Sequence, residues 1–192
     1  MIYRKLYPLI GIGLAALMIS CSSNRFTTSS GLDRKDFRQK VEGKKTNLYR
    51  IANKNGMEAC ITNYGARIVS LMVPDKNGRL QDVVCGFPTI GEYTSQSQNY
   101  GAIVGRYIGR ILGARYTLDG TEYQLQANHS LGHTAHGGNP NFGARMWKVQ
   151  HTTPSSITLN YVSPDGENGF PGNLDITPVS YTHLRAHETA AN

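Results

Sequence analysis

Short runs in which apolar and polar residues alternate fill the chain from Lys45 onward, and turn-forming residues separate them. Alternation with a period of two is typical of strands that bury one face. No window shows the sustained period of an amphipathic helix, and Gly91 weakens a short helical candidate at 88–93. The pattern predicts strands at 46–52, 57–63, 66–73, 80–85, 102–107, 111–118, 122–126, 146–152 and 156–162.

Turn signals between these runs favour an antiparallel arrangement. Asparagine and glycine at 53–56, proline, aspartate, asparagine and glycine at 74–78, and the Asp119-Gly120 pair are each typical of tight hairpin turns. Strands separated by turns every ~8–12 residues indicate an all-β sandwich or barrel. The chain shows no internal repeat that would indicate a solenoid.

The first residues have the layout of a targeting segment. Arg4 and Lys5 form a positive start, and an apolar run follows at 9–19 that is short for a transmembrane helix. The run ends at Met-Ile-Ser-Cys (18–21), which resembles the bacterial lipobox with methionine in place of the usual leucine. We therefore expect Cys21 to be lipidated and to anchor the protein to the bacterial cell envelope, in the periplasm or at the cell surface. The alternative is an ordinary secretory signal with a chance cysteine.

This interpretation divides the chain into four segments. A lipoprotein signal peptide occupies 1–20, a flexible tether rich in serine, threonine and asparagine 21–35, a folded domain 36–177 and a tail 178–192. The tail lacks strand alternation, and Pro178 has no N–H for a sheet ladder. It resembles the non-native read-through that adapter sequence leaves on truncated reading frames, and a natural divergent terminus is the alternative.

Charge and cysteine content narrow the classes of function. The formal net charge is +7, but the lysines and arginines are scattered, without a basic stripe interleaved with aromatic residues. We therefore expect a solvated surface and no nucleic-acid partner. Cys60 and Cys85 lie in apolar, strand-like runs and are expected to be buried free thiols, although a disulfide stays open in an oxidising compartment.

The candidate site is the polar, glycine-rich stretch at 99–138. Arg106 and Arg110 are flanked by glycines, and His136 is followed by two more. This composition is typical of a small-molecule site rather than a core. His133 and His136 have the His-x-x-His spacing of metal ligands, but without a nearby cysteine or further ligand we expect no metal here.

Several blocks of the chain match the motifs of one known family in order. They are Asn-Tyr-Gly-Ala-Arg-Ile-Val-Ser-Leu (63–71), Asp-Val-Val-Cys-Gly-Phe (82–87), Gly-Arg-Tyr-Ile-Gly-Arg-Ile (105–111), Thr-Leu-Asp-Gly-Thr-Glu-Tyr-Gln-Leu (117–125), His-Gly-Gly (136–138) and Ser-Pro-Asp-Gly-Glu-Asn-Gly-Phe-Pro-Gly (163–172). Together these blocks resemble the aldose 1-epimerases, or galactose mutarotases. The family has asparagine where this chain has Gly109, and leucine where it has Ala135.

The resemblance implies an all-β, antiparallel β-supersandwich of the galactose mutarotase type, truncated in this chain. It also implies interconversion of the α and β anomers of free hexoses such as galactose and glucose, without metal or cofactor. A base removes the C1 hydroxyl proton and an acid protonates the ring oxygen, so that the ring opens and closes on its other face. In the family a glutamate and a histidine do this downstream of the last block, so we expect this chain to lack both catalytic groups and to be inactive alone.

The resemblance assigns two residues of the chain to sugar binding. Arg110 matches an arginine whose guanidinium can donate two parallel hydrogen bonds to a ring oxygen or to vicinal hydroxyls. His136 matches a histidine that contacts the sugar near its ring oxygen. Arg106 is expected to be structural and to pair with a carboxylate. Asp165 and Glu167 look like an acid–base pair, but we expect them to shape a turn.

Three tail residues, His183, His187 and Glu188, look like a histidine–glutamate constellation, but their place in the predicted tail argues against a catalytic role. Two alternatives to the free-hexose epimerase stay open. One is a non-catalytic carbohydrate-binding lipoprotein on the same scaffold. The other is an epimerase of sugar phosphates, which would need further basic residues near the site. The sequence leaves the oligomeric state and the preferred sugar open.

Overall fold

Strands dominate the computed structural model, which describes residue 26 and residues 28–96 and 99–182. Over these residues the only α-helix is α1 (Ile90–Ser95), and no helix there is long and apolar enough to cross a membrane. Short 3-10 helices lie at Arg34–Phe37, Leu112–Ala114, Phe142–Ala144 and Glu167–Gly169. The strands are β1 (Lys40–Val41), β2 (Lys44–Lys45), β3 (Leu48–Ala52), β4 (Glu58–Thr62), β5 (Arg67–Pro74), β6 (Leu80–Asp82), β7 (Arg110–Ile111), β8 (Arg115–Leu118), β9 (Thr121–Gln124), β10 (Thr134–Ala135), β11 (Lys148–Thr153), β12 (Ser156–Ser163), β13 (Leu174–Ile176) and β14 (Val179–Tyr181).

Two four-stranded antiparallel sheets form the framework. The first has the order β3-β4-β5-β6, so each strand pairs with the next along the chain through a short turn. In the second, β12 is central, with β11 on one edge and β13 and β14 along the other. Every pairing is antiparallel, and the predicted all-β class is confirmed.

The core lies between the two sheets and beneath the N-terminal turns. Ile61 of the first sheet packs in one cluster with Ile157 and Leu159 of the second and with Trp147, which directly precedes β11. The opposite face of β4 is also covered, because Cys60 packs with residues of α1 and of the first 3-10 helix. Successive side chains of a strand alternate between faces, so β4 is buried on both sides. Each large apolar side chain buried in this way contributes about 1.5–3 kcal/mol.

Small ribbons carry the candidate site. β8 and β9 form a hairpin closed by Asp119 and Gly120, both with positive φ (50° and 78°), as the predicted tight turn requires. β7 pairs with β10, which places Arg110 opposite Ala135. Arg110 and His136, the two residues that the sequence motifs assign to sugar binding, therefore lie in or directly beside this pairing.

The stretch 102–107 is a loop, and the predicted strand there is wrong. Its apolar residues made the sequence look like a strand, but Gly105 packs against the Phe142 ring, which an added Cβ would approach to 2.6 Å. The predicted strand 111–118 is also interrupted, because Gly113 and Ala114 take left-handed φ values of 63° and 52°. Tertiary contacts and local backbone geometry outweigh the alternation pattern at both places.

Helix α1 forms where glycine weakened the helical candidate. Thr89 caps the helix: its Oγ1 accepts a hydrogen bond from the Glu92 N–H at 3.4 Å. The same hydroxyl donates to Glu92 Oε2 at 2.9 Å. This local capping interaction, together with burial of Ile90 and Tyr93, offsets the low helix propensity of glycine.

Part of the predicted tether packs on the domain. The Arg34 guanidinium lies 3.8 Å from the centre of the Phe26 ring. The Ser29 N–H and hydroxyl donate to the buried Glu58 carboxylate at 2.6 and 3.1 Å. The ordered domain therefore begins before residue 36. Residues 1–25, with Cys21 and the predicted signal peptide, lie outside the described residues.

The second sheet continues past the predicted end of the domain at Thr177. Strand β14 pairs with β12 in the same register as β13. Pro178 lacks an N–H, but its carbonyl accepts a hydrogen bond from the Leu159 N–H at 3.0 Å. Ladder bonds join backbone groups, so many different sequences can form them. The pairing therefore does not test whether residues 178–192 are non-native read-through, and that stays a prediction. His183, His187 and Glu188 lie outside the described residues.

The two domain cysteines differ in exposure. Cys60 is buried and Cys85 is exposed, and both are free thiols. Burial raises the pKa of the Cys60 thiol to about 12. The expectation of a buried thiol therefore agrees with the structure for Cys60 and is wrong for Cys85, because β6 ends at Asp82, before the apolar run that suggested a strand.

Candidate functional site

The His-Gly-Gly segment forms a tight turn directly after β10. His136, Gly137 and Gly138 all have positive φ, at 53°, 87° and 97°. A Cβ on Gly137 would lie 1.9 Å from the Gly105 carbonyl oxygen. One on Gly138 would lie 2.7 Å from the side chain of Asn168. The glycines are therefore required by the packing of this turn against two other loops.

Two hydrogen bonds tie His136 to the residue before Arg110. The His136 N–H donates to the Gly109 carbonyl at 2.8 Å, and the Gly109 N–H donates to His136 Nδ1 at 3.3 Å. An accepting Nδ1 in a neutral imidazole leaves the proton on Nε2, which is then free to donate. The structure thus brings the two predicted sugar-binding residues close together, with the exposed Arg110 on β7 and the half-buried His136 directly after the paired strand β10.

A cavity of about 470 Å³ lies beside His136. Its volume falls within the range of small-molecule pockets. Five side-chain amides line its wall, and each can both donate and accept hydrogen bonds, as a ligand rich in hydroxyl groups requires. Arg110 does not line this cavity, so only His136 of the predicted pair does. The amide residues on the wall are Gln96, Asn99, Asn128, Asn139 and Asn141.

Arg67 is a cavity residue that the sequence did not identify as functional. It is 2% exposed, and its guanidinium donates to the carbonyls of Tyr100 (3.0 Å) and Gly143 (2.7 Å). The guanidinium also lies 4.8 Å from the centre of the Tyr93 ring. Burial lowers the pKa of Arg67. A charged residue at the start of a largely apolar strand was the available signal.

Arg106 fixes the Ser-Pro-Asp-Gly-Glu loop rather than facing the cavity. It donates to the Ser163 hydroxyl (2.9 Å) and to the carbonyls of Ser163 (3.1 Å), Pro164 (2.8 Å) and Pro171 (2.8 Å). These contacts agree with the expected structural role. The expected carboxylate partner is wrong, because the acceptors are carbonyl and hydroxyl oxygens.

The two carboxylates of this loop hold it in shape, as expected. Asp165 accepts a hydrogen bond from the Gly172 N–H and donates its own N–H to Asn173 at 2.8 Å. Glu167 forms an ion pair with Arg145 at 2.7 Å and accepts from the Tyr161 hydroxyl at 2.6 Å. Burial, with this hydrogen bond, raises the pKa of Tyr161 to about 12.

His133 and His136 make separate contacts. His133 Nδ1 accepts from the Gly113 N–H at 3.1 Å, and its ring stacks on His129 with centroids 5.8 Å apart. In the part of the chain that the structure describes, no three histidine, cysteine, aspartate or glutamate side chains are grouped to hold a metal ion.

Comparison with known proteins identifies the class of this sandwich. The sequence profile of the family described as "Aldose 1-epimerase" matches residues 47–182. This match spans most of the chain and both sheets, and the chain belongs to the aldose 1-epimerase family. The resemblance found in the sequence motifs is thereby confirmed.

Relatives are found in animals and bacteria. The galactose mutarotase of Sus scrofa is 40% identical over 122 residues, which are 64% of this chain and 35% of that protein. The aldose 1-epimerase of Escherichia coli (strain K12) is 31% identical over 136 residues, 71% of this chain and 39% of that protein. The chain thus spans little more than a third of the length of the relatives that it matches.

Solved structures agree with the fold. An aldose epimerase homologue from C. elegans superimposes with a TM-score of 0.66 at 34% identity, over 70% of this chain and 41% of that one. Galactose 1-epimerase from Lactobacillus acidophilus NCFM gives a TM-score of 0.64 at 22% identity, over 73% of this chain and 41% of that one. The predicted galactose mutarotase-like fold is confirmed.

Proposed function

We propose that this chain is the N-terminal part of an aldose 1-epimerase that interconverts the α and β anomers of free hexoses such as galactose and glucose. The observation that carries the proposal is the double hydrogen bond between Gly109 and His136. It holds His136 close to Arg110. These two residues match the family's sugar-binding positions. Relatives named galactose mutarotase support galactose as a substrate.

In this proposal the chain supplies the sugar-holding wall of the site. His136 donates its Nε2–H to the ring oxygen, and the exposed Arg110 guanidinium donates to the ring oxygen or to neighbouring hydroxyls. The side-chain amides that line the cavity form hydrogen bonds with the remaining hydroxyls of the sugar. The base and the acid that move protons at C1 and at the ring oxygen come from sequence beyond this chain in the longer protein.

We also propose that Cys21 carries lipid and anchors the enzyme to the bacterial cell envelope. The support is the lipobox-like sequence at 18–21, preceded by a basic and an apolar segment. Cys21→Ser is expected to release the protein from the membrane fraction of cells that express it. Retention of Cys21→Ser in that fraction after a salt wash would contradict the anchor.

Polarimetry tests the enzymatic proposal. The intact gene product is expected to accelerate the rotation change of freshly dissolved α-D-galactose, and the 192-residue chain alone is expected to show no useful turnover. Turnover by this chain would overturn the proposed absence of the acid and base. Sugar binding by the intact protein without acceleration would favour the carbohydrate-binding alternative.

A further inference from the structure

We infer that Asn168 is a positioning residue that sets the place of His136 in the sugar site. This inference rests on the proposed function, because it concerns the same site. Asn168 does not face the sugar wall itself. It lies in the Ser-Pro-Asp-Gly-Glu-Asn-Gly loop and contacts the turn that carries His136.

Two hydrogen bonds join the Asn168 side chain to that turn. Asn168 Nδ2 donates to the Gly137 carbonyl at 2.8 Å and to the Pro140 carbonyl at 2.9 Å. The two acceptors lie on either side of Gly138, whose missing side chain gives Asn168 its room. One amide group therefore uses both of its protons to hold the turn directly after His136.

The backbone of Asn168 makes a further link to the same turn. Its carbonyl accepts from the Gln126 N–H at 2.9 Å. The Gln126 side-chain oxygen in turn accepts from the Asn139 N–H at 2.5 Å. Asn168 has a left-handed φ of 52°, a conformation that asparagine and aspartate tolerate better than most residues.

The loop that carries Asn168 is itself fixed to the second sheet. The neighbouring Glu167 is 8% exposed and is held by Arg145 and Tyr161, while Arg106 donates to both ends of the loop. A rigid support is needed for a positioning role, since a small displacement of a binding group lowers the rate strongly. The contacts run from β12 through this loop to Asn168 and from there to the His136 turn.

Asn168→Asp is the sharpest test, because it keeps the shape and the backbone preference while it replaces both donors with a carboxylate facing two carbonyls. Asn168→Gly keeps the positive φ and removes the amide. Asn160→Asp is the matched control: Asn160 Nδ2 also donates several hydrogen bonds, to Asp175, Ile176 and Thr177, but none to the His136 turn.

Both Asn168 variants are expected to lower kcat/KM for galactose about tenfold in the intact enzyme. They are also expected to shift the nitrogen-15 resonance of His136 Nδ1 and the amide resonance of Gly109, which report the bond between these residues without any sugar. Asn160→Asp is expected to leave both readouts as in the wild type. Wild-type resonances and kcat/KM in Asn168→Asp would overturn the inference. Lack of activity in the wild type would instead overturn the proposed function, and the resonances would still decide the positioning role.

Discussion

The Gly109 N–H donates a hydrogen bond to Nδ1 of His136 at 3.3 Å, and the Gly109 carbonyl accepts the His136 N–H at 2.8 Å. Through this pair the residue that precedes Arg110 fixes both the place and the tautomer of the histidine. In the neutral imidazole the proton then lies on Nε2, which can act as a donor. The relationship explains how two segments separated in sequence are held together.

The left-handed backbone of Gly109 gives a test of this arrangement. Its φ is 92°, and an added Cβ would meet nothing closer than the Tyr107 ring at 4.0 Å. Gly109→Val is therefore expected to destabilise the protein by about 1–2 kcal/mol more than Gly109→Asn, because asparagine tolerates positive φ. Urea unfolding of the two variants measures this difference. Equal stabilities would contradict the backbone argument.

Glu58 is expected to be the main attachment of the N-terminal segment. It is 1% exposed and accepts hydrogen bonds from Ser29, and it pairs with Arg50 at 2.5 Å. Glu58→Ala should cost about 3 kcal/mol in the free energy of unfolding, because it leaves these donors without their buried acceptor. Ser29→Ala removes one hydroxyl contact and is expected to cost about 1 kcal/mol. A loss of less than about 1 kcal/mol in Glu58→Ala would show that the segment is held by other contacts.

Thiol labelling tests the opposite environments of the two domain cysteines. At pH 8 in the native state, iodoacetamide is expected to modify Cys85, which is exposed. Cys60 should stay unmodified because it is buried and its pKa is raised to about 12, so the reactive thiolate is scarce. Peptide mass spectrometry reads both sites, and labelling in urea is the control. Native labelling of Cys60 at the rate of Cys85 would contradict the burial.

The raised pKa of Tyr161 predicts a pH dependence of stability. The folded protein keeps this proton to about pH 12, whereas an unfolded tyrosine releases it near its ordinary value of 10.0. The stabilisation of the folded state that comes from keeping the Tyr161 proton is fully present below pH 10 and is lost as the pH rises through 12. Tyr161→Phe should therefore show a shallower fall in melting temperature over this interval. Tyr107→Phe, at a side chain that is 51% exposed, is the control. Identical slopes in the wild type and Tyr161→Phe would contradict the assignment.

Local signals in the sequence were enough for most of the hairpins. Asp119 and Gly120 supply the two positive φ values that their turn requires, and β8 and β9 pair across it as a hairpin. The loop at 102–107 was missed because its geometry depends on a contact between Gly105 and Phe142, far apart in sequence. The expectation that Cys85 is buried is wrong for a similar reason, because apolar neighbours in the sequence do not show where a strand such as β6 ends.

The site was predicted in part. Family motifs indicate Arg110 and His136 as sugar-binding residues, and this assignment stays a prediction. The structure places Arg110 on β7 and His136 directly after β10, the strand that pairs with β7. The sequence could not show that Gly109 binds the imidazole or that Asn168 supports the turn, because both contacts join distant loops. The amide-lined cavity was likewise outside the reach of spacing and alternation, and the available signal for Arg67 was its charge at the start of a largely apolar strand.

Polarimetry of site variants in the intact gene product tests the central claim most directly. Arg110→Ala and His136→Ala are each expected to slow the enzyme-catalysed mutarotation of α-D-galactose by more than about tenfold, because each removes donors to the sugar. His133→Ala is the matched control, since its ring contacts Gly113 and His129 instead. Wild-type rates in both Arg110→Ala and His136→Ala would contradict the account of this wall as the sugar site.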